Sequence, residues 1–193
     1  MDETTVNTPA LVFDDVLPDP DMYRRRALTQ RFSTIVDGPV MFHGMAPCAD
    51  PAIPMKIVAT FPNLVPTLSF FRRSPEGQEE PHYIHDDRSM GEWSAVYYLS
   101  PAPPEGDGTA FYRHIASGQI EGHTAPGSPE WQREAAAWFD QSQWERWLFV
   151  PARFNRLVLF KSSLFHSRAI PENYGAGDDA RLIQVCFGTG AFV

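Results

Sequence analysis

The chain has 193 residues, of which 43% are hydrophobic, so a single domain with a buried core is expected. Its formal net charge of −8 argues against a nucleic-acid-binding protein, because such proteins usually present a basic face. No apolar run approaches the roughly 20 residues that a membrane-spanning helix needs, and the acidic start Met1-Asp2-Glu3 lacks the pattern of a signal peptide. A cytoplasmic protein without nucleic-acid or membrane partners is therefore predicted.

Residues 1–66 are predicted to form an N-terminal support of helical and irregular structure. A helix is expected at Pro20, which suits the first helical turn, with Asp19 or a neighbour as its cap. The segment 38–66 is rich in proline and shows little periodicity. These residues are therefore expected to support the core that follows.

Residues 67–188 are predicted to form that core. Short apolar segments alternate there with turns rich in glycine and proline, which favours a mainly β sandwich or barrel over a helical bundle. The predicted strands include Leu68–Phe71, Trp93–Leu99, Thr109–Tyr112, Asn155–Lys161 and Arg181–Phe187.

Residues 128–148 interrupt the β pattern and are predicted to form a helical insert. Ser128 and Pro129 are typical of a helix start, and Trp131, Ala135 and Trp138 follow at helical spacing. Four of the five tryptophans lie in this insert. A helix packed on the sheet is the simplest interpretation. A substrate lid and a homodimer contact are alternatives, because exposed aromatic surface usually has a partner.

The residues most indicative of function are His85, Asp87 and the distant His166. A strand is predicted around His85, and residues two apart on a strand point to the same face, so His85 and Asp87 share a face and His82 is out of phase with them. His166 ends an apolar strand-like run, and a folded barrel can bring it back to the other two. Two imidazoles and one carboxylate that leave open coordination positions are the ligand set of non-haem Fe(II) oxygenases.

In order and spacing, several segments resemble the Fe(II)- and 2-oxoglutarate-dependent oxygenase superfamily, and most closely the small bacterial members of its prolyl-hydroxylase-like branch. The resemblance covers roughly residues 67–188. The segments that carry it are His85-Asp86-Asp87, Tyr97-Tyr98-Leu99-Ser100, Gly106-Asp107-Gly108-Thr109, Leu159-Phe160 through Phe165-His166, and Arg181-Leu182-Ile183.

This resemblance implies a double-stranded β-helix, a jelly-roll fold like that of cupins, with supporting α-helices. It also implies that His85, Asp87 and His166 bind Fe(II), and that 2-oxoglutarate and O2 are consumed in an oxidation that releases succinate and CO2. Halogenating members of the superfamily have a small residue in place of the carboxylate. Asp87 therefore favours a dioxygenase that hydroxylates, or otherwise oxidises, an unactivated C–H bond.

The resemblance also suggests residues for the cosubstrate pocket. Arginine binds carboxylates in a rigid bidentate manner, and Arg181, on the strand after His166, is the candidate for the far carboxylate of 2-oxoglutarate. Arg168 competes for this role, because it lies two residues after His166 and can share its face. Tyr98 is the candidate hydroxyl donor to the same carboxylate. Thr109 follows a glycine turn that is shifted from the Gly-Gly-Thr pattern of the family.

The predicted substrate is a small molecule or an amino acid, because so short a chain leaves little room for a protein-docking domain. A hydroxylase of peptide or protein side chains is one alternative, which exposed tryptophans in the 128–148 insert would favour. A non-catalytic, metal-binding module of the cupin type is another, although cupins commonly use more histidines and a glutamate. Nucleic-acid demethylation is disfavoured because the acidic charge opposes phosphate binding.

Overall fold

Two antiparallel sheets build the fold. The computed structural model describes residues 9–37, 40–80, 82–125 and 127–190. The strands within these residues are β1 (Ala10–Phe13), β2 (Ser33–Asp37), β3 (Val40–Pro47), β4 (Val65–Ser74), β5 (Trp93–Tyr98), β6 (Gly108–His114), β7 (Trp144–Pro151), β8 (Leu157–Lys161), β9 (His166–Arg168) and β10 (Arg181–Thr189). The helices are α1 (Pro20–Leu28), α2 (Ala52–Thr60) and α3 (Pro129–Ala136), and within the described parts of the chain no helix has the length and apolarity to traverse a lipid bilayer.

The larger sheet has seven strands in the order β1-β8-β5-β10-β4-β3-β2, and the smaller sheet has three in the order β7-β6-β9. The chain passes from one sheet to the other between β5 and β6, between β7 and β8, and twice more around β9. Strands that alternate between two facing antiparallel sheets are typical of a jelly roll. The predicted mainly β architecture is confirmed.

The outer face of the larger sheet is covered by α1 and α2. Trp93 and Tyr97 of β5 are buried on this face together with Tyr23 of α1 and Ile57 of α2. The rings of Tyr23 and Tyr97 meet edge-on, with their centroids 6.0 Å apart. This apolar layer holds the helices on the sheet, since burial of large aromatic side chains dominates the energy of such a contact.

The inner face of the larger sheet packs against the smaller sheet. Tyr98 of β5, Phe160 of β8 and Ile183 of β10 are buried there against Phe111 of β6. The rings of Phe111 and Phe160 are nearly perpendicular at 5.1 Å. Because side chains alternate along a strand, every second residue from these positions also faces the interior of the barrel.

The helix α1 begins as the sequence predicts. The side chain of Asp19 accepts a hydrogen bond from the Met22 nitrogen at 2.9 Å, and Pro20 is the first helical residue. Its two buried residues, Tyr23 and Ala27, are four positions apart and therefore share the face that meets the sheet.

The N-terminal region contributes strands as well as helices, which the prediction for residues 1–66 missed. β1 pairs with β8 at one edge of the larger sheet, while β3 and β2 extend the opposite edge beyond β4. The pairing of β1 involves four residues, so its apolar run is too short for alternation to identify it. The core strands likewise begin at Val65 rather than at residue 67.

The predicted helical insert over residues 128–148 is wrong in its second half. α3 does begin after Ser128, whose side chain accepts a hydrogen bond from the Trp131 nitrogen, but it ends at Ala136. A short turn capped by Asp140 follows, and Trp144–Pro151 is strand β7, paired with β6. Pairing with β6 provides hydrogen-bond partners for the backbone N–H and C=O groups of this segment. The segment is therefore a strand, although its tryptophans have helical spacing.

Candidate metal centre

The three predicted metal ligands come together in space. His166 is the first residue of β9, whereas His85 and Asp87 lie before β5 in a segment that is not the strand expected around His85. The main chains of His85 and His166 form an isolated antiparallel bridge, with N–O distances of 3.0 and 2.8 Å. The Asp87 nitrogen donates to the Ser162 oxygen at 2.8 Å. Main-chain hydrogen bonds therefore fix the positions of all three residues.

The donor atoms of this group form a small cluster. Nε2 of His166 lies 3.2 Å from Oδ2 of Asp87, and Nε2 of His85 lies 3.6 Å from Oδ1 of the same carboxylate. All three donors lie within 4.8 Å of one another, close enough for a single metal ion. Within the described ranges the group contains these three residues and no fourth, so an ion held here keeps open coordination positions.

The second nitrogen of each imidazole is used for orientation. Nδ1 of His85 donates to the Tyr83 oxygen at 3.2 Å, and Nδ1 of His166 donates to the Leu164 oxygen at 2.9 Å. In both cases the acceptor is the carbonyl two residues earlier. Since a carbonyl only accepts, each ring carries a proton on Nδ1 and directs Nε2 towards the cluster.

The Asp87 carboxylate is held by a hydroxyl on the neighbouring strand. Ser94 of β5 donates to Oδ2 at 3.0 Å, and its own oxygen lies 2.8 Å from the hydroxyl oxygen of Ser162. Burial by itself raises the pKa of Asp87, but the two histidines and Ser94 lower it below its usual value. The carboxylate therefore stays ionised and correctly rotated.

The two histidines differ in their charge preference. Burial, followed by the neighbouring His166, lowers the pKa of His85 to about 4, so this imidazole is neutral. Burial also opposes a charge on His166, but the Asp87 carboxylate raises the pKa of this residue overall. A metal ion binds deprotonated donors, so His85 and Asp87 are ready for it and His166 would release any proton on binding.

Three of the four predicted cosubstrate residues lie close together inside the barrel. The Tyr98 hydroxyl is 2.6 Å from Oγ1 of Thr109, across the two sheets. Burial raises the pKa of Tyr98, although the positive charge of Arg181 acts in the opposite direction. Arg181 therefore lies near the Tyr98 hydroxyl. Nε of the buried Arg181 donates to both carboxylate oxygens of Asp107 at 3.1 Å. Its two terminal nitrogens have no hydrogen-bond partner among the described residues.

The competing arginine is differently placed. The terminal nitrogens of Arg168 donate to Glu80 at 3.2 Å, to the Asn173 side chain at 2.5 Å and to the Pro171 oxygen at 2.6 Å. Its Nε is buried without a partner in the described part of the chain. Of the two candidates, Arg181 is thus the one that keeps both terminal nitrogens for a carboxylate.

Sequence reasoning did not assign roles to Arg72, Glu80 and Asp107. Arg72 lies opposite Ile183 in the sheet register and so faces the interior, where it donates to Glu80 at 2.7 Å. The Glu80 side chain is 2% exposed although it follows a polar turn, which gives no sequence signal of burial. Asp107 did carry one signal, because it stands in the turn that departs from the family's Gly-Gly-Thr pattern.

His82 lies near the centre but is turned away from it. Its Nε2 donates to the Arg168 oxygen at 3.0 Å, and its Nδ1 accepts from the Gln141 side chain at 2.7 Å. Both ring nitrogens are therefore occupied, in agreement with a residue out of phase with His85.

Comparison with known proteins gives one family match and several structural likenesses. A family model described as a family of unknown function (DUF6445) matches residues 67–182. No curated protein matches the chain. The epimerase SnoN, in complex with Fe3+, alpha ketoglutarate and nogalamycin RO, aligns with a TM-score of 0.54 and 15% identity over 92% of this chain and 77% of that one.

Two further structures have the same architecture. The non-heme alpha ketoglutarate dependent carbocyclase SnoK, from nogalamycin biosynthesis, aligns with a TM-score of 0.56 and 13% identity over 94% of this chain and 79% of that one. HygX from Streptomyces hygroscopicus, with nickel, 2-oxoglutarate and hygromycin B bound, aligns with a TM-score of 0.51 and 16% identity over 92% and 81%. At these identities the likeness shows the fold, and the predicted double-stranded β-helix is confirmed.

Proposed function

The chain belongs to the DUF6445 family, whose function is unknown, and we propose that it is an Fe(II)- and 2-oxoglutarate-dependent oxygenase. The observation that carries this proposal is the group of His85, Asp87 and His166, with donor atoms within 4.8 Å of one another. It lies in the same barrel as Arg181, a buried arginine whose terminal nitrogens have no hydrogen-bond partner in the described chain. The fold shared with SnoN, SnoK and HygX supports the proposal.

The residues at the centre fit Fe(II). Two neutral imidazoles and one carboxylate, with no further protein ligand among the described residues, are the donor set that this ion uses when it must also bind small ligands. When bound together, iron and 2-oxoglutarate supply the activation of O2 for oxidation of a C–H bond, with release of succinate and CO2. The task of His85, Asp87 and His166 is to hold the ion without closing its coordination sphere.

The far carboxylate of 2-oxoglutarate is assigned to Arg181. Asp107 holds Nε of this arginine, which leaves the two terminal nitrogens as a fork for two carboxylate oxygens. Tyr98 and Thr109, joined at 2.6 Å, are the hydroxyl donors beside it. Nε of Arg168 is a further buried donor without a partner in the described chain. An acceptor-rich dianion matches this surplus of donors.

Hydroxylation of a small molecule or an amino acid is the proposed outcome. Asp87 stands at the position that halogenating members of the superfamily leave small, and the motif spacing resembles that of the prolyl-hydroxylase-like branch. SnoN is described as an epimerase and SnoK as a carbocyclase, so this fold accommodates more than one kind of reaction. The peptide hydroxylase and the non-catalytic module are the alternatives that the experiments below would reveal.

The test is anaerobic absorption spectroscopy of the purified protein with Fe(II), before and after addition of 2-oxoglutarate. A new visible charge-transfer band is expected, and it should be absent in His166→Ala. Iron binding without a band would contradict the cosubstrate assignment. No iron binding at all would contradict the metal centre.

Two arginine variants then test the pocket. Arg181→Ala should weaken 2-oxoglutarate binding while iron is retained, because the fork for the far carboxylate is lost. Arg168→Ala is the comparison variant and should lose less affinity than Arg181→Ala, because only Nε of Arg168 is without a partner in the described chain. The reverse ranking would assign the carboxylate to Arg168. In aerobic turnover, succinate formation identifies substrates, and turnover of peptides but not of small molecules would favour the peptide hydroxylase.

A further inference from the structure

Part of the inner face of the larger sheet is apolar and only partly buried. Val185 of β10 lies opposite Val96 of β5 and opposite Phe70 of β4, so these three side chains form one row on the inner face. All three are only partly buried. We call them the apolar row. The row is two residues from Ser94, which binds the Asp87 carboxylate, and thus borders the reacting centre.

A stack of aromatic rings adjoins the same centre. The ring of Tyr83 lies 4.5 Å from that of His85. Phe139 is stacked on Tyr83 at 5.1 Å and 28°, and Trp138 lies nearly parallel to Tyr83 at 6.3 Å and 18°. We call Tyr83, Trp138 and Phe139 the ring stack. Phe139 is 61% exposed, which is unusual for an aromatic side chain, and only the ring of Tyr83 separates it from the predicted metal ligand His85.

The ring stack is tied to the metal-binding segment. The Ile84 nitrogen donates to the Trp138 oxygen at 2.9 Å. A second link joins the side chains of Gln141 and His82 at 2.7 Å. The turn after α3 therefore keeps its rings at the centre, and the exposure of Phe139 belongs to the site rather than to a distant surface.

The charges of the barrel interior balance without a contribution from the substrate. Among the described residues, the charged side chains named above are three arginines and three carboxylates: Arg72, Arg168, Arg181, Glu80, Asp107 and Asp87. Glu80 binds two of the arginines, Asp107 binds the third, and Asp87 belongs to the metal centre. A divalent ion and a dianionic cosubstrate then add equal and opposite charges. A charged group on the substrate would upset this balance in a site of low dielectric constant, which disfavours a charged substrate.

We propose that the substrate presents to the metal centre an uncharged, flat ring system, which stacks on Tyr83 and Phe139 and lies on the apolar row. Flat rings gain from parallel stacking in addition to the burial of their area, whereas saturated rings gain only from burial. This inference rests on the proposed function, because it concerns the substrate of the same site.

The experiment compares three probes of similar size that differ in charge or flatness: 2-naphthol, 2-naphthoate and trans-2-decalol. Each is titrated anaerobically into the full-length protein loaded with Fe(II) and 2-oxoglutarate. Calorimetry gives the Kd, and the change in the visible absorption band reports proximity to the metal. 2-Naphthol should bind about 2- to 12-fold more tightly than trans-2-decalol. It should bind at least about 10-fold more tightly than 2-naphthoate.

Two variants assign the effect to the ring stack. Phe139→Leu keeps an apolar side chain at an exposed position but removes the ring, so the preference for 2-naphthol over trans-2-decalol should fall below about twofold. Phe149→Leu on β7 is the matched control. The adjacent residue Val150 faces the core, so Phe149 faces the other way, and this variant should preserve the preference for 2-naphthol.

The outcomes separate this inference from the proposed function. If the absorption band forms but 2-naphthoate binds as tightly as 2-naphthol, or if Phe139→Leu keeps the preference, the substrate class is wrong and the oxygenase stands. Absence of binding by all three probes to a protein that shows the band has the same meaning. If no band forms with Fe(II) and 2-oxoglutarate, the proposed function and the inference both fail.

Discussion

Replacement of Asp107 by asparagine removes the charge that balances Arg181 inside the barrel. The side chains of Arg181 and Asp107 are 5% and 1% exposed, and they are joined at 3.1 Å. Removal of one partner of a buried ion pair costs about 3–5 kcal/mol, because the other charge is left out of water without compensation. In a chain of this size, 1 kcal/mol corresponds to about 2–4 °C in Tm, so Asp107→Asn should lower the Tm by roughly 6–20 °C.

Thermal and urea-induced unfolding of the metal-free protein measures this loss. The Tyr174 hydroxyl donates to Asp107 at 2.8 Å, and the carbonyl oxygen of asparagine can still accept that bond, so the variant tests charge more than shape. Asp14→Asn is the matched control, since Asp14 pairs with Arg156 through side chains that are 32% and 16% exposed. Its expected cost is at most about 1 kcal/mol. Equal losses in the two variants would refute the argument that buried charge holds Arg181.

Two further predictions concern the metal centre and the backbone. Ser94→Ala should lower Fe(II) affinity about 10- to 100-fold, because Asp87 loses the hydroxyl that orients it. Ser163→Ala is the control and should leave the affinity unchanged. Anaerobic titration with iron measures both variants, and equal affinities would contradict the role of Ser94. Gly77→Ala, at φ +78° with nothing within 4 Å of the new Cβ, should cost about 1–2 kcal/mol of unfolding free energy. Gly44→Ala, at φ +66°, places its Cβ 1.8 Å from a carbonyl oxygen of β4, so its unfolding free energy should fall about 1–3 kcal/mol further than that of Gly77→Ala. Equal unfolding midpoints for the two variants would contradict this steric argument.

The metal centre could be predicted from the sequence because its signals are local. The alternation rule identifies His85 and Asp87 as one face of an extended segment, and it excludes His82 even though this residue lies close by. The distant His166 could be added because an apolar run leads to it. Instead of the strand expected around His85, the structure has a single bridge between His85 and His166. The segment is nevertheless extended enough for residues two apart to share a face, and the prediction depends on nothing more.

The pocket around the centre could be predicted only in part. The roles of Arg72, Glu80 and Asp107 depend on which residues lie opposite them, and no local pattern contains that information. The same reason explains the error over residues 128–148, where the helical spacing of the tryptophans is real but β7 has a pairing partner in β6. Tertiary pairing decides such segments, and a single sequence does not display it.

The hydrogen-bonded bridge between His85 and His166 has an evolutionary consequence. It joins main-chain atoms, so the backbone positions of the two histidines do not depend on the side chains of the ring stack or the apolar row. Substitutions in the ring stack or the apolar row can therefore accumulate without displacing the metal. Under the proposed function, substitutions in the walls of the pocket are expected to change which substrate binds, while His85, Asp87 and His166 keep their positions.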